Sequence, residues 1–372
     1  MTDKPKMKRI FFVFSAALFL TLLILTTFTS VRVNASDSKS GVIASTSPTP
    51  LPAATPTPTP KPTPDDEVIK IDTELVNLTV RVVDRNNHVL NNIPEDQFKI
   101  YEDGTLQKID FFSTSDVPTN YAIVVDNSGS MRAQLDKVIE AGKIMVNTNH
   151  KTDETELIRF IGRDKISVDQ TFTTNKSDLV DALDNLLIEG GQTAVRDAVY
   201  LAVQSVDEYE KTKKMDDHKR RAIVLVSDGE DRDSFYSEKQ LFELLRESEV
   251  QIYVIGFVDD LSKEGGFISK SPQAKAKAFL ERMATETGGK AYFPANVNEL
   301  PQLGRDISSE LRTQYSIGYI PTNDRHDGTY RTIKVSVNDG PNNQKRIALS
   351  RSGRTADGGS TPKSTPTPAK TP

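Results

Sequence analysis

A chain of 372 residues has room for one large domain with extensions or for two modest ones. Hydrophobic residues make up only 36%, and the 20 prolines crowd towards the two ends, which implies a folded middle between segments that never pack. A net charge of −5 argues against a nucleic-acid coat, and the lack of cysteine excludes disulfides, thiolate zinc sites, cysteine nucleophiles and a lipidated Cys.

In chain order, Lys4, Lys6, Lys8 and Arg9 precede an apolar run over residues 10–28. A basic start before such a run reads as an export segment whose lysines stay in the cytoplasm. Val33-Asn34-Ala35 resembles a small-residue cleavage site, while the length of the run suits a retained membrane anchor, so residues 1–35 are a signal peptide or an N-terminal anchor. Residues 36–67 form a Thr/Pro-rich linker, with Thr55-Pro56-Thr57-Pro58-Thr59-Pro60 at its centre. Such a stretch adopts extended polyproline II and acts as a semi-rigid spacer. Residues 355–372 are a tail of the same material. Everything after the export segment is therefore expected outside the cytoplasmic membrane, anchored in the cell envelope or secreted.

Residues 68–116 read as a β-strand module. Val76, Leu78, Val80 and Val82 alternate with Asn77, Thr79 and Arg81, the period of a half-buried antiparallel strand. The runs 98–101 and 109–112 flank Glu102-Asp103-Gly104-Thr105, a hairpin signal because Asp-Gly takes positive φ readily. Residues 314–354 look alike. Tyr315, Ile317 and Tyr319 alternate, as do Ile333, Val335 and Val337, and Asp339-Gly340 supplies a turn. Neither flank has enough strands for a stable sheet, so the two are expected to pack as one antiparallel module.

The middle, residues 117–313, has another texture. Runs at 122–125, 157–161, 222–226 and 252–257 carry few polar breaks, as strands buried on both faces do. Between them, helical spacing links Leu135, Val138, Ile139 and Met145; Val195, Ala198, Val199 and Ala202; Leu241, Leu244 and Leu245; Phe279, Leu280 and Met283; and Leu300, Leu303, Ile307 and Leu311. Alternating strand and helix define a doubly wound α/β fold with a mostly parallel sheet.

In that fold, ligands sit beyond the carboxyl ends of the strands. Asp126-Asn127-Ser128-Gly129-Ser130 ends the first central strand, Gly190-Gly191-Gln192-Thr193 precedes a helix, and Ser227-Asp228-Gly229 follows the strand 222–226. Asp126 and Asp228 at strand ends would repel unless a cation lies between them. All-oxygen ligands completed by water suit Mg²⁺, with Ca²⁺ or Mn²⁺ as substitutes. Ser128 and Ser130 could instead simply cap the following helix. The acidic run Glu230, Asp231 and Asp233 reads as a solvated loop in preference to a second ion site. The four histidines, His88, His150, His218 and His326, never fall at i, i+4, so a His-based zinc site is not expected.

Asp126-x-Ser128-x-Ser130, then Thr193, then Asp228 in a Ser-Asp-Gly setting, resembles the metal-ion-dependent adhesion site of von Willebrand factor A domains over about residues 120–312. With its leader strand and the phrase Asp96-Gln97-Phe98 … Tyr101-Glu102-Asp103-Gly104, the chain is similar to a bacterial family of exported proteins related to that domain. The resemblance implies a metal held by Asp126, Ser128, Ser130, Thr193 and Asp228, with an open position for a carboxylate of a protein partner. It implies binding, adhesion or assembly, and no enzyme. Gln192 is one residue more than similar proteins often place between the glycine pair and the Thr. Two other readings compete: a stalked structural protein whose metal only stabilises the fold, and a hydrolase using Ser128 or Ser130. The hydrolase lacks a nearby His or Lys base, a G-x-S-x-G elbow and a P-loop, and its one Ser-x-x-Lys string, Ser360 to Lys363, falls in the tail.

Overall fold

The computed structural model describes residues 75–114, 117–213, 219–264 and 270–356. The export segment expected at 1–35, the linker at 36–67 and the tail beyond residue 356 lie outside the described residues. Among the described residues, no helix is long and apolar enough to cross a membrane.

Strand β1 (Val76–Val83) buries Val76, Leu78, Val80 and Val82, as its alternation requires, but also Arg81 at 2% exposure. Strand β2 (Phe98–Glu102) turns at Asp103 (φ 48°) and Gly104 (φ +81°) into β3 (Thr105–Gln107), with Glu102 opposite Thr105. Two consecutive positive φ values match the right-handed strand twist, and Asp-Gly reaches them at little cost. The hairpin partner thus differs from the expected one. The run 109–112 belongs to β4 (Ile109–Ser113), which crosses to a different sheet.

Then follows the α/β part: β5 (Thr119–Asp126), α1 (Leu135–Thr148), β6 (Glu154–Phe160), β7 (Ile166–Thr173), α2 (Lys176–Asp184), α3 (Val195–Lys211), β8 (Arg220–Ser227), α4 (Glu238–Glu247), β9 (Gln251–Gly256), α5 (Pro272–Glu286), β10 (Ala291–Tyr292) and α6 (Leu300–Arg312). The sheet order is β10-β9-β8-β5-β6-β7, parallel throughout except for the antiparallel edge strand β7. Every residue of β5 is buried, because alternate side chains enter two separate cores. Ala122 and Val124 meet α3, α4 and α5 on one face; Tyr121, Ile123 and Val125 meet α1, α2 and α6 on the other. This is a doubly wound domain. The edge strand β7 is half exposed, and α2 is short and opened by the Asn175 side chain, which accepts a hydrogen bond from Ser177 N.

Strands β11 (Tyr315–Tyr319), β12 (Tyr330–Val337), β13 (Ile347–Leu349) and β14 (Gly353–Thr355) close the described chain. Val76–Val80 pair antiparallel with Tyr315–Tyr319, and Phe98–Glu102 with Ile333–Val337. The resulting sheets, β13-β1-β11-β4 and β14-β12-β2-β3, share one core that includes Leu78, Phe98, Ile100, Tyr315 and Val335. Sharing that core makes the two sheets a sandwich, and the α/β domain is inserted between its strands. Thr355, expected in the tail, pairs with Tyr330. The turn after β12 places positive φ at Asn342 and Asn343 rather than at Gly340.

Candidate functional site

In the sheet order, β5 lies between β8 and β6. The chain leaves β5 for α1 on one face and leaves β8 for α4 on the other. A crevice must open where neighbouring strands depart in opposite directions, and Asp126, the last residue of β5, and Asp228, just beyond β8, stand at it.

Asp126 is fully buried. Its Oδ1 accepts from Ser128 N at 2.9 Å and its Oδ2 from Ser227 Oγ at 2.7 Å. Burial, reinforced by the charge of Asp228, pushes the Asp126 carboxyl up to about 6 against the pull of those hydrogen bonds. Asp228 is 4% exposed, and its Oδ1 accepts from Glu230 N at 2.9 Å. Ser128 occupies the cap position of the short helical turn Gly129–Ala133 but makes no side-chain capping bond. Its Oγ lies 2.9 Å from Ser130 Oγ instead. The simple capping role therefore fails for this pair, whose hydroxyls turn to each other and, through Ser128, to the Asp126 carboxyl.

Thr193 is buried at 6% exposure, and its hydroxyl makes no hydrogen bond to the other four residues. Backbone bonds hold its loop. Ala194 N donates to Ile161 O at 2.8 Å, and Thr193 O accepts from Arg232 N at 2.8 Å and Asp233 N at 3.1 Å. Thr193 is thereby tied directly to the loop that starts at Asp228. On the other side, Asn127 Nδ2 donates to Leu187 O at 2.8 Å and Asn127 O accepts from Glu189 N at 3.0 Å.

Sequence reasoning missed Ser227 and Asn127, which hold the ligand loops rather than face the crevice. It also missed Gln134 and Asp260, which line a cleft of about 380 Å³ with Ser130, Asp228 and Glu230. Asp260 follows the carboxyl end of β9, the position that the strand-end rule already marks. The acidic run is held in place rather than loose in solvent. Asp231 accepts from Arg196 N at 2.8 Å and from Ser234 Oγ at 2.6 Å, and Asp233 pairs with Arg163 at 3.0 Å.

The glycine that the backbone of the site requires is Gly229 and not Gly129. A Cβ on Gly129 would meet nothing within 4 Å. Gly229 has φ +77°, and a Cβ there would lie 2.7 Å from Leu280 Cδ1. Gly229→Ala should therefore destabilise the chain by roughly 1–3 kcal/mol through strain and crowding, whereas Gly129→Ala should change it by less than about 0.5 kcal/mol. Urea midpoints of the two variants check this, and equal midpoints would contradict it.

Among the described residues, no group of three or more His, Asp or Glu side chains is placed to hold a metal ion. The donor set here contains two carboxylates and three hydroxyls. Two buried carboxylates close enough for one to raise the other, beside two hydroxyls that bond to each other and, through Ser128, to the Asp126 carboxyl, fit a hard divalent cation. Asp126, Ser128, Ser130, Thr193 and Asp228 would hold it, and such an ion supplies positive charge and an open position for an oxygen ligand.

Fold and crevice together define a doubly wound α/β domain with an oxygen-lined site at its switch point. A family model of the von Willebrand factor type A domain matches residues 120–306, and the chain belongs to that family. Domains of this family typically serve protein interaction or adhesion and commonly bind a divalent metal. An uncharacterized protein of Synechocystis is 27% identical over 197 residues, covering 52% of this chain and 42% of its own. Inter-alpha-trypsin inhibitor heavy chain H4 of Bos taurus is 24% identical over 234 residues, covering 60% of this chain and 24% of its own. The match thus spans less than half the length of these curated relatives. A solved von Willebrand factor type A structure from Catenulispora acidiphila is 10% identical, covers 76% of this chain and 75% of its own, and superposes with a TM-score of 0.42.

Proposed function

We propose that this chain is an exported, non-enzymatic binding module. In this reading Asp126, Ser128, Ser130, Thr193 and Asp228 hold Mg²⁺, or Ca²⁺ or Mn²⁺ in its place, and a protein partner supplies a carboxylate to the ion. One observation carries the reading. The Ser128 and Ser130 hydroxyls face each other, free of capping, beside two buried carboxylates that pair with no cation among the described residues. Two carboxylates formally balance a divalent ion, but three of the five protein donors are neutral hydroxyls, so the ion keeps room for a further oxygen ligand. An external carboxylate is a hard anionic donor that fits it.

A hydrolytic serine of the usual kind would need a His or Lys base in hydrogen-bond reach, and the partners of Ser128 Oγ are the Ser130 hydroxyl and the Asp126 carboxyl. The location outside the cytoplasmic membrane rests on the basic start and the apolar run at 10–28. A pull-down from envelope extract with the full chain is the test. A partner should be retained in Mg²⁺ and released by chelator. A partner retained equally in both would refute the metal-bridged reading.

A further inference from the structure

Next to the metal cleft lies a groove of about 600 Å³, continuous with it because Glu230, Arg232 and Pro272 line both. Gly229, Ala276 and Phe279 give it an apolar floor, and charged side chains rim it. Arg196 pairs with Asp231 at 2.9 Å, Arg232 with Glu230 at 2.5 Å and Arg282 with Glu238 at 2.6 Å, so these three couples cancel. Lys270 and Lys275 remain, with no carboxylate within ion-pair distance among the described residues. The groove thus carries about two unbalanced positive charges in a chain whose net charge is −5. This excess sits next to the position where the metal would accept a carboxylate.

We infer that the groove extends the metal site and receives a partner segment bearing two acidic residues, the first ligating the ion and the second meeting Lys270 and Lys275. The inference rests on the metal-bridged reading above and adds the sequence class that the partner must present. Pro272 lines the metal cleft, and Lys275 stands three residues further along α5, about 4.5 Å on along a helix axis. An extended peptide covers that step in one to two residues at about 3.3 Å each, and its side chains return to the same face every second residue. An acid-x-acid segment over small or apolar groups suits these constraints. The like-charged flank of a basic partner would be repelled, which makes the lysines a selectivity element.

A displayed random-peptide library selected on the full chain in Mg²⁺ tests this. Enriched peptides should carry two acidic residues separated by one. Lys270→Gln/Lys275→Gln should weaken the synthetic acid-x-acid peptides about tenfold while changing the same peptides by less than twofold when the second acid is made the amide. Selection of single-acid or basic peptides, of nucleic-acid-like polyanion mimics insensitive to spacing, or of none would overturn the groove assignment. So would equal losses for both peptide forms. The chelator arm is separate. Acid-x-acid peptides that bind equally well in chelator, yet still lose affinity in the lysine variant, would refute the metal bridge and leave the groove standing.

Discussion

Glu310→Leu should destabilise the chain by about 3–5 kcal/mol, the cost of stranding a buried cation. Glu310 lies on the last turn of α6 at 6% exposure and ion-pairs with Arg81 of β1, itself 2% exposed. Lys290 Nζ and Tyr292 OH both donate to the other carboxylate oxygen at 2.9 Å. One carboxylate therefore joins the sandwich, through β1, to the α/β domain, through α6 and β10. Removing it leaves the buried Arg81 and the partly buried Lys290 without their carboxylate, and the Arg81 Nε is already unbonded. Arg81→Met should cost less, because Lys290 still neutralises Glu310. The double variant Arg81→Met/Glu310→Leu should recover part of the loss, since it strands one cation rather than two. Urea unfolding of the three variants checks the order. A Glu310→Leu loss below about 1 kcal/mol, or a double variant worse than the sum, would show that this cluster does not couple the two parts.

Arg81 also marks where reading from sequence stopped. In the alternation of β1 it occupies a polar position and so reads as solvent-facing; the docking of the α/β domain on that face, which local pattern does not encode, buries it. Most of the fold was legible because two periodicities are strong: the unbroken apolar runs of β5, β8 and β9, buried on both sides, and the helical spacing of α1, α3, α4, α5 and α6. The strand β7 and helix α2 escaped notice because an edge strand and a nine-residue helix bury little, so their patterns are weak. The hairpin was placed one strand too far, since the Asp-Gly turn identifies where the chain reverses but not which later strand pairs. At the site, the strand-end positions of Asp126 and Asp228 were legible. The supports were not: Ser227, Asn127 and the positive φ of Gly229 depend on how three loops meet.

Asp126→Asn should separate the two roles of that carboxylate, with effects of opposite sign. In the metal-free chain the carboxylate is fully buried beside Asp228 and held well above its ordinary range, so burial and a like charge both oppose its ionised form. An amide of the same shape keeps an oxygen for Ser128 N or Ser227 Oγ and removes the charge. The metal-free variant should therefore be as stable as the native chain or more stable. With Mg²⁺ the order should reverse. A ligand at 100 times its Kd stabilises the native state by about 2.7 kcal/mol, and Asp126→Asn should forfeit that gain because one of the two ligand charges is gone. Thr193→Ala removes only a neutral donor and should retain a weaker response. Thermal unfolding of all three chains, with chelator and then with Mg²⁺, reads both signs in one series. If the native chain shows no Mg²⁺ shift, or if Asp126→Asn keeps the full shift, these residues do not hold the ion. An unstable metal-free Asp126→Asn would instead show that the charge itself, through its bonds to Ser128 and Ser227, supports the loop.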